Sequence, residues 1–297
     1  MRKTDKETES LVLQYMRGGW SSREVAKLFN IGKSTVNDIV ARNRPIEKNK
    51  PRILFLDIET APSVAVTFDR WNARFTSNHI IKEGGWLISA AWSWEDDDEI
   101  YGVAVSSDDT KTGNDVYVVE NLIEAIEEAD VIVGHYIKKF DIPTIRARAA
   151  INGFTDIKTT QIVDTCEIAK SMKFNTNKLD DLAFYLGLGI QKLPSDISLW
   201  VECVEGNEQA IRKMLEYNKQ DIRLQKAVYY KLRNFNKKSP NIGVINNEFS
   251  CPACGSHNVT STGYDIIRGQ TTYPEYFCED CGKRSRTNKK GNLLINQ

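Results

Sequence analysis

The chain has 297 residues, of which 41% are hydrophobic and 27% charged, and its formal net charge is zero. This is enough apolar material for a packed core in one to three domains. No apolar run approaches the ~18 residues that a membrane-spanning helix needs, and the polar N-terminus leads into no apolar signal region. The composition argues against a membrane-spanning protein and favours a cytoplasmic one.

The zero net charge hides an uneven distribution along the chain. Residues 1–50 carry 11 basic and 6 acidic side chains, residues 51–236 carry 21 and 29, and residues 237–297 carry 8 and 5. Basic ends and an acidic centre fit termini that contact phosphates and a centre that binds cations. Chance variation among surface charges is the alternative interpretation.

Two polar, proline-containing stretches, at residues 43–51 and 236–241, predict domain boundaries. Apolar strand-like runs alternate with helical patterns between them, which indicates an α/β domain there. We therefore predict a helical domain over residues 1–44, an α/β domain over 52–236 and a small turn-rich domain over 245–290.

The N-terminal segment predicts two helices joined by a tight turn. Ser21 and Glu24 form a capping-box pattern, in which each side chain accepts a hydrogen bond from the backbone of the other, so a helix begins there. A turn over residues 30–32 leads into a second helix over 33–42. The predicted core, shared with an earlier helix, consists of Leu11, Val12, Tyr15, Val25, Leu28, Val36, Ile39 and Val40.

This arrangement of three short helices resembles the helix-turn-helix of recombinases and transposases. In that geometry the last helix enters the major groove of DNA. A helical unit that contacts only protein is the alternative. The resemblance implies that five side chains of the last helix face phosphates or base edges. They are Lys33, Ser34, Thr35, Asn37 and Arg42.

In the middle segment, hydrophobic periodicity predicts five strands and four helices. The strands are expected near residues 52–58, 86–94, 99–105, 131–135 and 160–164. The helices are expected near residues 118–129, 142–152, 178–187 and 206–235, and the last helix can break in two near Tyr217. Three early strands, a helix, a strand and further helices resemble the RNase H-like arrangement of a mixed sheet flanked by helices.

Asp57 and Glu59 are two residues apart on the first predicted strand and therefore point to the same face, beside Ile53 and Phe55. Neighbouring carboxylates next to an apolar strand are costly unless a cation neutralises them. Mg²⁺ and Mn²⁺ prefer carboxylate oxygens, so the pair predicts a divalent metal site.

Further along the segment, an acid and a tyrosine–acid pair stand at predicted helical positions. Asp141 comes just before Pro143 at a helix start, where a negative charge is favoured. Tyr217 and Asp221 are four residues apart in the last predicted helix and share its inward face.

In this order, the DxE, FD and YxxxD motifs resemble those of the DEDD exonucleases of the tyrosine subclass, which include DnaQ-like nucleases and polymerase proofreading domains. The resemblance covers residues 52–236. It implies a 3′–5′ exonuclease that releases nucleoside 5′-monophosphates. It also implies that Tyr217 orients the attacking water and that four acids bind two Mg²⁺ or Mn²⁺ ions. These ligands are Asp57, Glu59, Asp141 and Asp221.

Three nearby residues are not expected to bind metal. Many relatives have asparagine where Tyr136 stands, and we expect a packed aromatic side chain here, with base stacking as the alternative. Asp164, at the end of a later strand, is expected to support the site. His135 is expected to be packed or to support a neighbouring group.

Four of the six cysteines form two CxxC pairs, Cys251/Cys254 and Cys278/Cys281, spaced C-x₂-C-x₂₃-C-x₂-C. This pattern predicts one structural Zn²⁺ in a reduced compartment rather than disulfides, and the segment resembles a zinc ribbon. His257 is a weaker alternative ligand. The basic side chains that follow are expected to contact nucleic acid, with a solvated tail as the alternative. They are Lys283, Arg284, Arg286, Lys289 and Lys290.

Two other functions are compatible with this combination of segments: a transposase or integrase, and a non-enzymatic DNA-binding protein of a phage or mobile element. A transposase or integrase uses a different set of acidic residues in its active site. A non-enzymatic DNA-binding protein does not need the four acids. We therefore predict an exonuclease of a prokaryotic or phage-infected cell that is anchored on DNA. Its expected substrates are single-stranded or frayed 3′ ends, and a separate replication or recombination protein is a further candidate partner.

Overall fold

In the computed structural model the chain divides into two compact units, residues 1–49 and residues 50–297. The structure describes residues 6–17, 20–42, 51–68, 71, 74–158, 160–238 and 240–297. The predicted linker over residues 43–51 therefore lies outside the described residues, apart from Pro51. Within the described ranges, no helix combines the length and apolarity that crossing a bilayer requires.

The N-terminal unit contains α1 (Lys6–Arg17), α2 (Ser22–Phe29) and α3 (Lys33–Arg42). The predicted capping box is present at the start of α2. The Glu24 N–H donates to Ser21 Oγ over 3.3 Å, and the Ser21 N–H donates to Glu24 Oε2 over 2.9 Å. The two predicted helices and the turn between them are therefore confirmed.

The core of this unit differs in part from the predicted one. Val12, Val25, Val36 and Ile39 are buried, and Leu13, Tyr15, Met16, Phe29 and Ile31 pack against them. Leu11 and Leu28 are exposed instead. In α2 the inward stripe runs through positions 22, 25, 26 and 29, which are spaced i, i+3, i+4 and i+7, so Leu28 falls outside it.

The unit over residues 50–297 contains a five-stranded mixed sheet. Its strands are β1 (Ile53–Thr60), β4 (Leu87–Trp94), β5 (Tyr101–Ala104), β6 (Val131–Gly134) and β7 (Gln161–Asp164), with a hairpin of β2 (Val64–Ala65) and β3 (Ile80–Lys82) after β1. The strand order is β5-β4-β1-β6-β7, and β1 pairs antiparallel with β4 and parallel with β6. The five predicted strands and the mixed α/β class are confirmed.

The helices of this unit flank the sheet. They are α4 (Asp109–Thr112), α5 (Val116–Glu128), α6 (Asp141–Ile151), α7 (Thr165–Met172), α8 (Leu179–Tyr185), α9 (Ile197–Val204), α10 (Glu208–Leu232) and α11 (Ile242–Asn246). The four predicted helices are present as α5, α6, α8 and α10. The break that the sequence allows near Tyr217 does not occur, because α10 keeps one buried face from Met214 to Ile222.

The two faces of β1 pack against different layers. Ile53 and Phe55 lie in the cluster formed with α10, whereas the even-numbered residues from Leu54 to Ile58 join the cluster on the opposite face. Because side chains alternate along a strand, Asp57 and Glu59 continue the face that α10 covers. The fold therefore directs both acids toward the helix that carries Asp221.

A second, four-stranded sheet follows α11. Its strands are β8 (Val259–Arg268), β9 (Thr271–Cys278), β10 (Arg284–Thr287) and β11 (Leu294–Asn296), and their order in the sheet is β11-β10-β9-β8. Lys283, which precedes β10, joins this sheet to the segment after α10, because its Nζ donates to the carbonyl oxygens of Asn234 and Asn236 over 3.0 and 2.9 Å. The cysteine-rich segment is thus docked on the α/β core.

Candidate active site

Three acidic side chains converge from β1 and α10. Carboxylate oxygens of Asp57, Glu59 and Asp221 lie within 4.8 Å of one another. Asp57 and Glu59 come from the strand face that α10 covers, and Asp221 lies on the buried face of α10. The structure therefore brings together three of the four acids expected to bind metal.

The fourth acid, Asp141, lies beside this group. It begins α6, and its Oδ1 accepts the Ile58 N–H, between the two acids of β1, over 3.2 Å. After burial, the charge of Asp141 is the influence that most raises the pKa of Asp57. Asp141 therefore belongs to the same electrostatic cluster.

Burial and mutual repulsion oppose ionisation of these acids. Burial, then Asp141 and Asp221, hold the pKa of Asp57 well above its ordinary value. Burial also raises the pKa of Asp221, and it raises the pKa of Glu59 and that of Asp141 to about 7. A divalent cation would relieve the repulsion, so this set of hard oxygen donors fits Mg²⁺ or Mn²⁺.

The ammonium group of Lys192 lies against the cluster of acids. Lys192, in the loop between α8 and α9, donates through Nζ to Asp221 Oδ2 over 2.5 Å and to Tyr217 Oη over 3.3 Å. Burial lowers the pKa of Lys192, but Asp221 outweighs burial and keeps the pKa above its ordinary value. The other oxygen of Asp221, Oδ1, is buried without a hydrogen-bond partner among the described residues, which suits a metal ligand.

Tyr217 lies one helical turn before Asp221 and packs against α9. Its ring is edge-on to that of Trp200, with 5.8 Å between the ring centroids. Burial raises the pKa of Glu59, and the neighbouring Trp200 side chain acts in the opposite direction. Trp200 was missed by the sequence analysis, because no periodic pattern relates it to the acids.

Asn218 fixes the orientation of Asp57. Its Nδ2 donates to Asp57 Oδ2 over 2.5 Å, and its Oδ1 accepts the Ser89 hydroxyl over 3.3 Å. Asn218 was also missed, although its i, i+3 spacing to Asp221 places it on the same inward face of α10. Asp57 is thus positioned by a fully buried amide.

Asp164 supports the turn that precedes Asp141. Its Oδ1 accepts the Tyr136 N–H over 3.0 Å, and its Oδ2 accepts the Lys138 N–H over 3.3 Å. The same carboxylate caps α7 by accepting the Cys166 N–H over 2.9 Å. Asp164 thus makes the supporting contacts expected from the sequence.

Tyr136 is not the packed aromatic that was expected. Its backbone is left-handed, with φ of 65°, and its side chain is 47% exposed. The ring lines a cleft of about 600 Å³ that Asp57 and Asp141 also line. Lys170 Nζ lies 5.1 Å from the ring centroid. The turn held by Asp164 therefore presents the ring to the cleft instead of the core.

His135 is held by two hydrogen bonds beside this cleft. Its Nε2 donates to the Asn177 carbonyl oxygen over 2.8 Å, and its Nδ1 lies 2.9 Å from Thr165 Oγ1. Burial lowers the pKa of His135, which favours the neutral ring. His135 thus takes the packed, supporting position that the sequence predicts.

The four paired cysteines form a second candidate metal site. The Sγ atoms of Cys251 and Cys281 are 3.6 Å apart, and those of Cys254 and Cys278 are 3.7 Å apart. Metal–sulfur bonds of ~2.3 Å in a tetrahedron give sulfur–sulfur edges of ~3.8 Å, so the four thiols fit one Zn²⁺. His257 is outside this cluster, and its Nε2 lies 3.2 Å from Glu248 Oε2.

Three of the basic side chains after the cysteines are engaged within the protein. Lys283 is only 5% exposed and bonds to backbone carbonyls, so the expected nucleic-acid contact is wrong for this residue. Arg284 pairs with Glu275 over 2.8 Å, and Arg286 donates through Nη1 to the Thr287 carbonyl oxygen over 3.1 Å. Lys289 and Lys290 are exposed, and for them contact with nucleic acid stays a prediction.

In the separate N-terminal unit, the residues expected to bind DNA lie on α3. Ser34 and Asn37 are exposed, whereas Lys33 and Thr35 are half-buried. Asn37 Oδ1 accepts the Ser22 hydroxyl over 2.8 Å, which links α3 to α2. The side chain of Arg42 lies outside the described part of the structure.

Comparison with known proteins places the middle of the chain in a family. No curated protein matches the sequence. A similar solved structure is that of the family B DNA polymerase from the hyperthermophilic archaeon Pyrobaculum calidifontis, with 18% sequence identity and a TM-score of 0.45. The match covers 62% of this chain and 25% of the polymerase, so this chain spans only a minor part of that protein. Residues 83–233 match the RNase H superfamily, and the chain belongs to that superfamily.

Proposed function

We propose that the protein is a metal-dependent 3′–5′ exonuclease that removes nucleoside 5′-monophosphates from DNA 3′ ends. The observation that carries this proposal is the convergence of Asp57, Glu59 and Asp221, with Asp141 bonded to the same strand. Membership of the RNase H superfamily supports nuclease chemistry on a nucleic acid. The order of the three motifs, with Tyr217 in the last, supports the 3′–5′ direction.

The four acids would hold two Mg²⁺ or Mn²⁺ ions. Ions bound there would activate the attacking water and stabilise the leaving 3′ oxygen. The pKa of Asp57 is raised by burial and by all three other acids, which suits a carboxylate shared between two ions. Asn218 and the Ile58 N–H hold Asp57 and Asp141 in fixed orientations.

The remaining groups would act on water and phosphate. Tyr217 would orient the attacking water through its hydroxyl, which accepts a hydrogen bond from Lys192, while Trp200 packs edge-on against the ring. The Lys192 ammonium would also offset the negative charge of the scissile phosphate. The cleft beside Asp57 would receive the terminal nucleotide, with the ring of Tyr136 at its wall.

We further propose that the flanking segments anchor the enzyme on DNA. The exposed polar side chains of α3 support a helix-turn-helix over residues 1–44, in which Lys33, Ser34, Thr35, Asn37 and Arg42 bind duplex DNA. The spacing of the cysteine thiols supports a zinc ribbon over residues 245–290 with one structural Zn²⁺. The nuclease domain proper would then be residues 52–236.

The polarity of digestion tests the proposal. Single-stranded DNA labelled at its 3′ end is incubated with the purified protein and Mn²⁺. We expect the label to appear first as a mononucleotide, whereas the same strand labelled at its 5′ end shortens stepwise. Internal cuts, or transfer of the 3′ end into a target plasmid, would contradict an exonuclease, and transfer would favour the transposase alternative.

A further inference from the structure

Three aromatic side chains, which we call the aromatic cluster, adjoin one another on the surface at α8. The rings of Phe174 and Tyr185 are stacked, with 6.2 Å between their centroids and 18° between their planes. The rings of Phe184 and Tyr185 meet edge-on, with 6.0 Å between their centroids. Phe184 is 83% exposed and Tyr185 is 46% exposed, although aromatic side chains normally supply much of the buried area of a core. Large exposed apolar groups that adjoin one another indicate a binding surface.

The aromatic cluster continues one wall of the cleft. Lys178, Leu179 and Asp180, at the start of α8, line the cleft. Phe184 comes four residues after Asp180, and both residues are exposed. Residues i and i+4 of a helix lie on the same face, about 6 Å apart along the helix axis. A strand that leaves the cleft along this face of α8 therefore contacts the ring of Phe184.

The support of these exposed rings is packed into the core. Leu179, Leu182 and Ala183 are the buried residues of α8, and they belong to the core cluster that α10 shares. Phe174 packs against the same cluster. Because α10 also carries Asp221, one packed layer supports both the rings and a proposed metal ligand. Rings on a fixed support lose little conformational freedom when a ligand binds them.

Two lysines at the cleft indicate which kind of ligand fits beside the rings. Lys170 and Lys178 both line the cleft, and within the described ranges neither forms an ion pair with an acid. The Nζ of Lys170 lies 5.1 Å from the centroid of the Tyr136 ring, and Lys178 is exposed. Single-stranded nucleic acid binds where its bases can stack on aromatic rings and its phosphates can meet positive charge. The rings and the lysines together therefore suit a single strand better than an apolar protein segment.

We propose that Phe184 and Tyr185, together with Lys170 and Lys178, bind the part of a single-stranded substrate that leads into the cleft. Phe184 stacks on a base just outside the cleft, and the two lysines contact the phosphates beside it. This inference rests on the proposed exonuclease function and adds a surface for nucleotides other than the terminal one. A protein partner for the same rings is the competing interpretation, and the test separates the two.

The test compares a long and a minimal substrate with the full-length protein and Mn²⁺. The long substrate is a 20-nucleotide thymidine strand. The minimal one is the p-nitrophenyl ester of thymidine 5′-monophosphate, which has no nucleotide outside the cleft. The double variant carries Phe184→Ala and Tyr185→Ala. Phe235→Ala, which removes a 58% exposed ring that does not line the cleft, is the matched control.

We expect the double variant to have a KM for the long strand raised by about fivefold or more, since one lost stack is worth roughly five- to 150-fold. Its kcat/KM for the ester stays at the wild-type value, and the control behaves as the wild type on both substrates. A wild-type KM for the long strand in the double variant would overturn the proposal and leave the rings to a protein partner. An equal loss on both substrates would also overturn it, because the rings then support the catalytic centre. If the wild type cleaves neither substrate, the proposed function itself fails.

Single substitutions of Phe184 separate stacking from apolar contact. Phe184→Tyr keeps an aromatic face and should keep the wild-type KM for the long strand. Phe184→Leu keeps an apolar side chain without that face, and its KM should rise as in Phe184→Ala. Because Phe184 is 83% exposed, none of these changes removes core packing. Equal KM values for Phe184→Tyr and Phe184→Leu would overturn the stacking role.

Salt dependence tests the lysine contact. Each contact with a phosphate of a single strand contributes about 0.7 to the slope of log affinity against log salt concentration. For the thymidine strand and the metal-free protein, measured by fluorescence anisotropy, Lys178→Gln should lower this slope by about 0.7. Lys231→Gln, which changes an exposed lysine near the end of α10, should leave the slope unchanged. A wild-type slope in Lys178→Gln would overturn the proposed phosphate contact.

Discussion

Lys192 Nζ lies 2.5 Å from Asp221 Oδ2, so a loop lysine neutralises one acid at the centre of the acidic cluster. Asp221 is almost fully buried, whereas the Lys192 side chain keeps 30% of its exposure. Removing one partner of a buried ion pair leaves the other uncompensated, which is costly. In this protein Lys192 and a divalent ion would therefore stabilise the same carboxylate.

Replacing this lysine should make stability depend on the metal. We expect Lys192→Met to lower the free energy of unfolding by about 2 kcal/mol without added divalent ions, less than for a fully enclosed pair because solvent screens Lys192. With Mn²⁺ present the loss should shrink, since the ion takes over the neutralisation of Asp221. Urea unfolding with and without Mn²⁺ measures both values.

The control is Lys138→Met, which breaks the more exposed pair with Glu167. It should change stability by at most about 1 kcal/mol in either condition. An equal loss in Lys192→Met with and without Mn²⁺ would show that the lysine and the ion do not share Asp221.

Metal binding should strengthen as the pH rises through about 7. The pKa values of Glu59 and Asp141 in the folded protein are about 7, mainly because of burial, against ordinary values of 4.5 and 3.8. Metal ligation needs the ionised forms, so the half-saturating Mn²⁺ concentration should fall from pH 6 to pH 8. The rise in Tm with added Mn²⁺, titrated at several pH values, measures this concentration. Glu59→Gln should make it change less with pH.

In the metal-free protein the same raised pKa values make folding stability fall as the pH rises, whereas metal binding strengthens. The folded state holds protons that the unfolded state has already lost, so this contribution to stability is full below about pH 4 and disappears as the pH rises through about 7. Metal-free Glu59→Gln should therefore gain stability relative to the wild type as the pH rises from 5 to 8. A constant difference between the two proteins would contradict the raised pKa.

Periodic local patterns account for what the sequence predicted well. Strand β1 is an apolar run with its acids at positions i and i+2, so both the strand and the face of Asp57 and Glu59 follow from alternation. The helical spacing of Tyr217 and Asp221 is equally local. These patterns predicted the mixed sheet and three acids that the structure brings together.

The rest depends on contacts between distant parts of the chain. Asn218 and Asp57 are 161 residues apart, and Lys192 reaches the acids from a loop without periodicity. Tyr136 was misassigned because its exposure depends on Asp164, which fixes the backbone of its turn from another strand. Helices α7 and α9 have eight residues each, which is too short for a clear helical period.

Substitutions of Asp164 and Asp141 should have different effects, because the first acid supports the fold of the site and the second is a proposed metal ligand. Asp164→Ala should destabilise the protein by about 2 kcal/mol, because it removes a helix cap and leaves the Tyr136 and Lys138 N–H groups unpaired. Its half-saturating Mn²⁺ concentration should stay close to that of the wild type. Asp141→Asn should instead raise that concentration by about tenfold or more. Comparable Mn²⁺ affinities in the two variants would contradict these assignments.

Loss of a cysteine ligand should unfold the ribbon selectively. We expect Cys278→Ser to lower bound zinc well below one ion per chain, because the four thiols hold one ion whose binding supplies folding energy. Limited proteolysis should then cut within residues 245–297 and leave the catalytic domain intact. Cys203→Ala, a buried cysteine outside the cluster, should keep its zinc. Full zinc content in Cys278→Ser would rule out a four-cysteine site.

The most direct test of the two-ion exonuclease is digestion of 5′-labelled single-stranded DNA with Mn²⁺ by the wild type, Asp57→Asn and Asp156→Asn. Asp57 is the acid that all the other proposed ligands surround, whereas Asp156 is an exposed acid that pairs with Arg146. We predict a ladder of shortened products from the wild type and from Asp156→Asn. For Asp57→Asn we predict a digestion rate reduced by about a thousandfold or more. An intact strand with the wild type, or a ladder of equal rate with Asp57→Asn, would contradict the proposed active site.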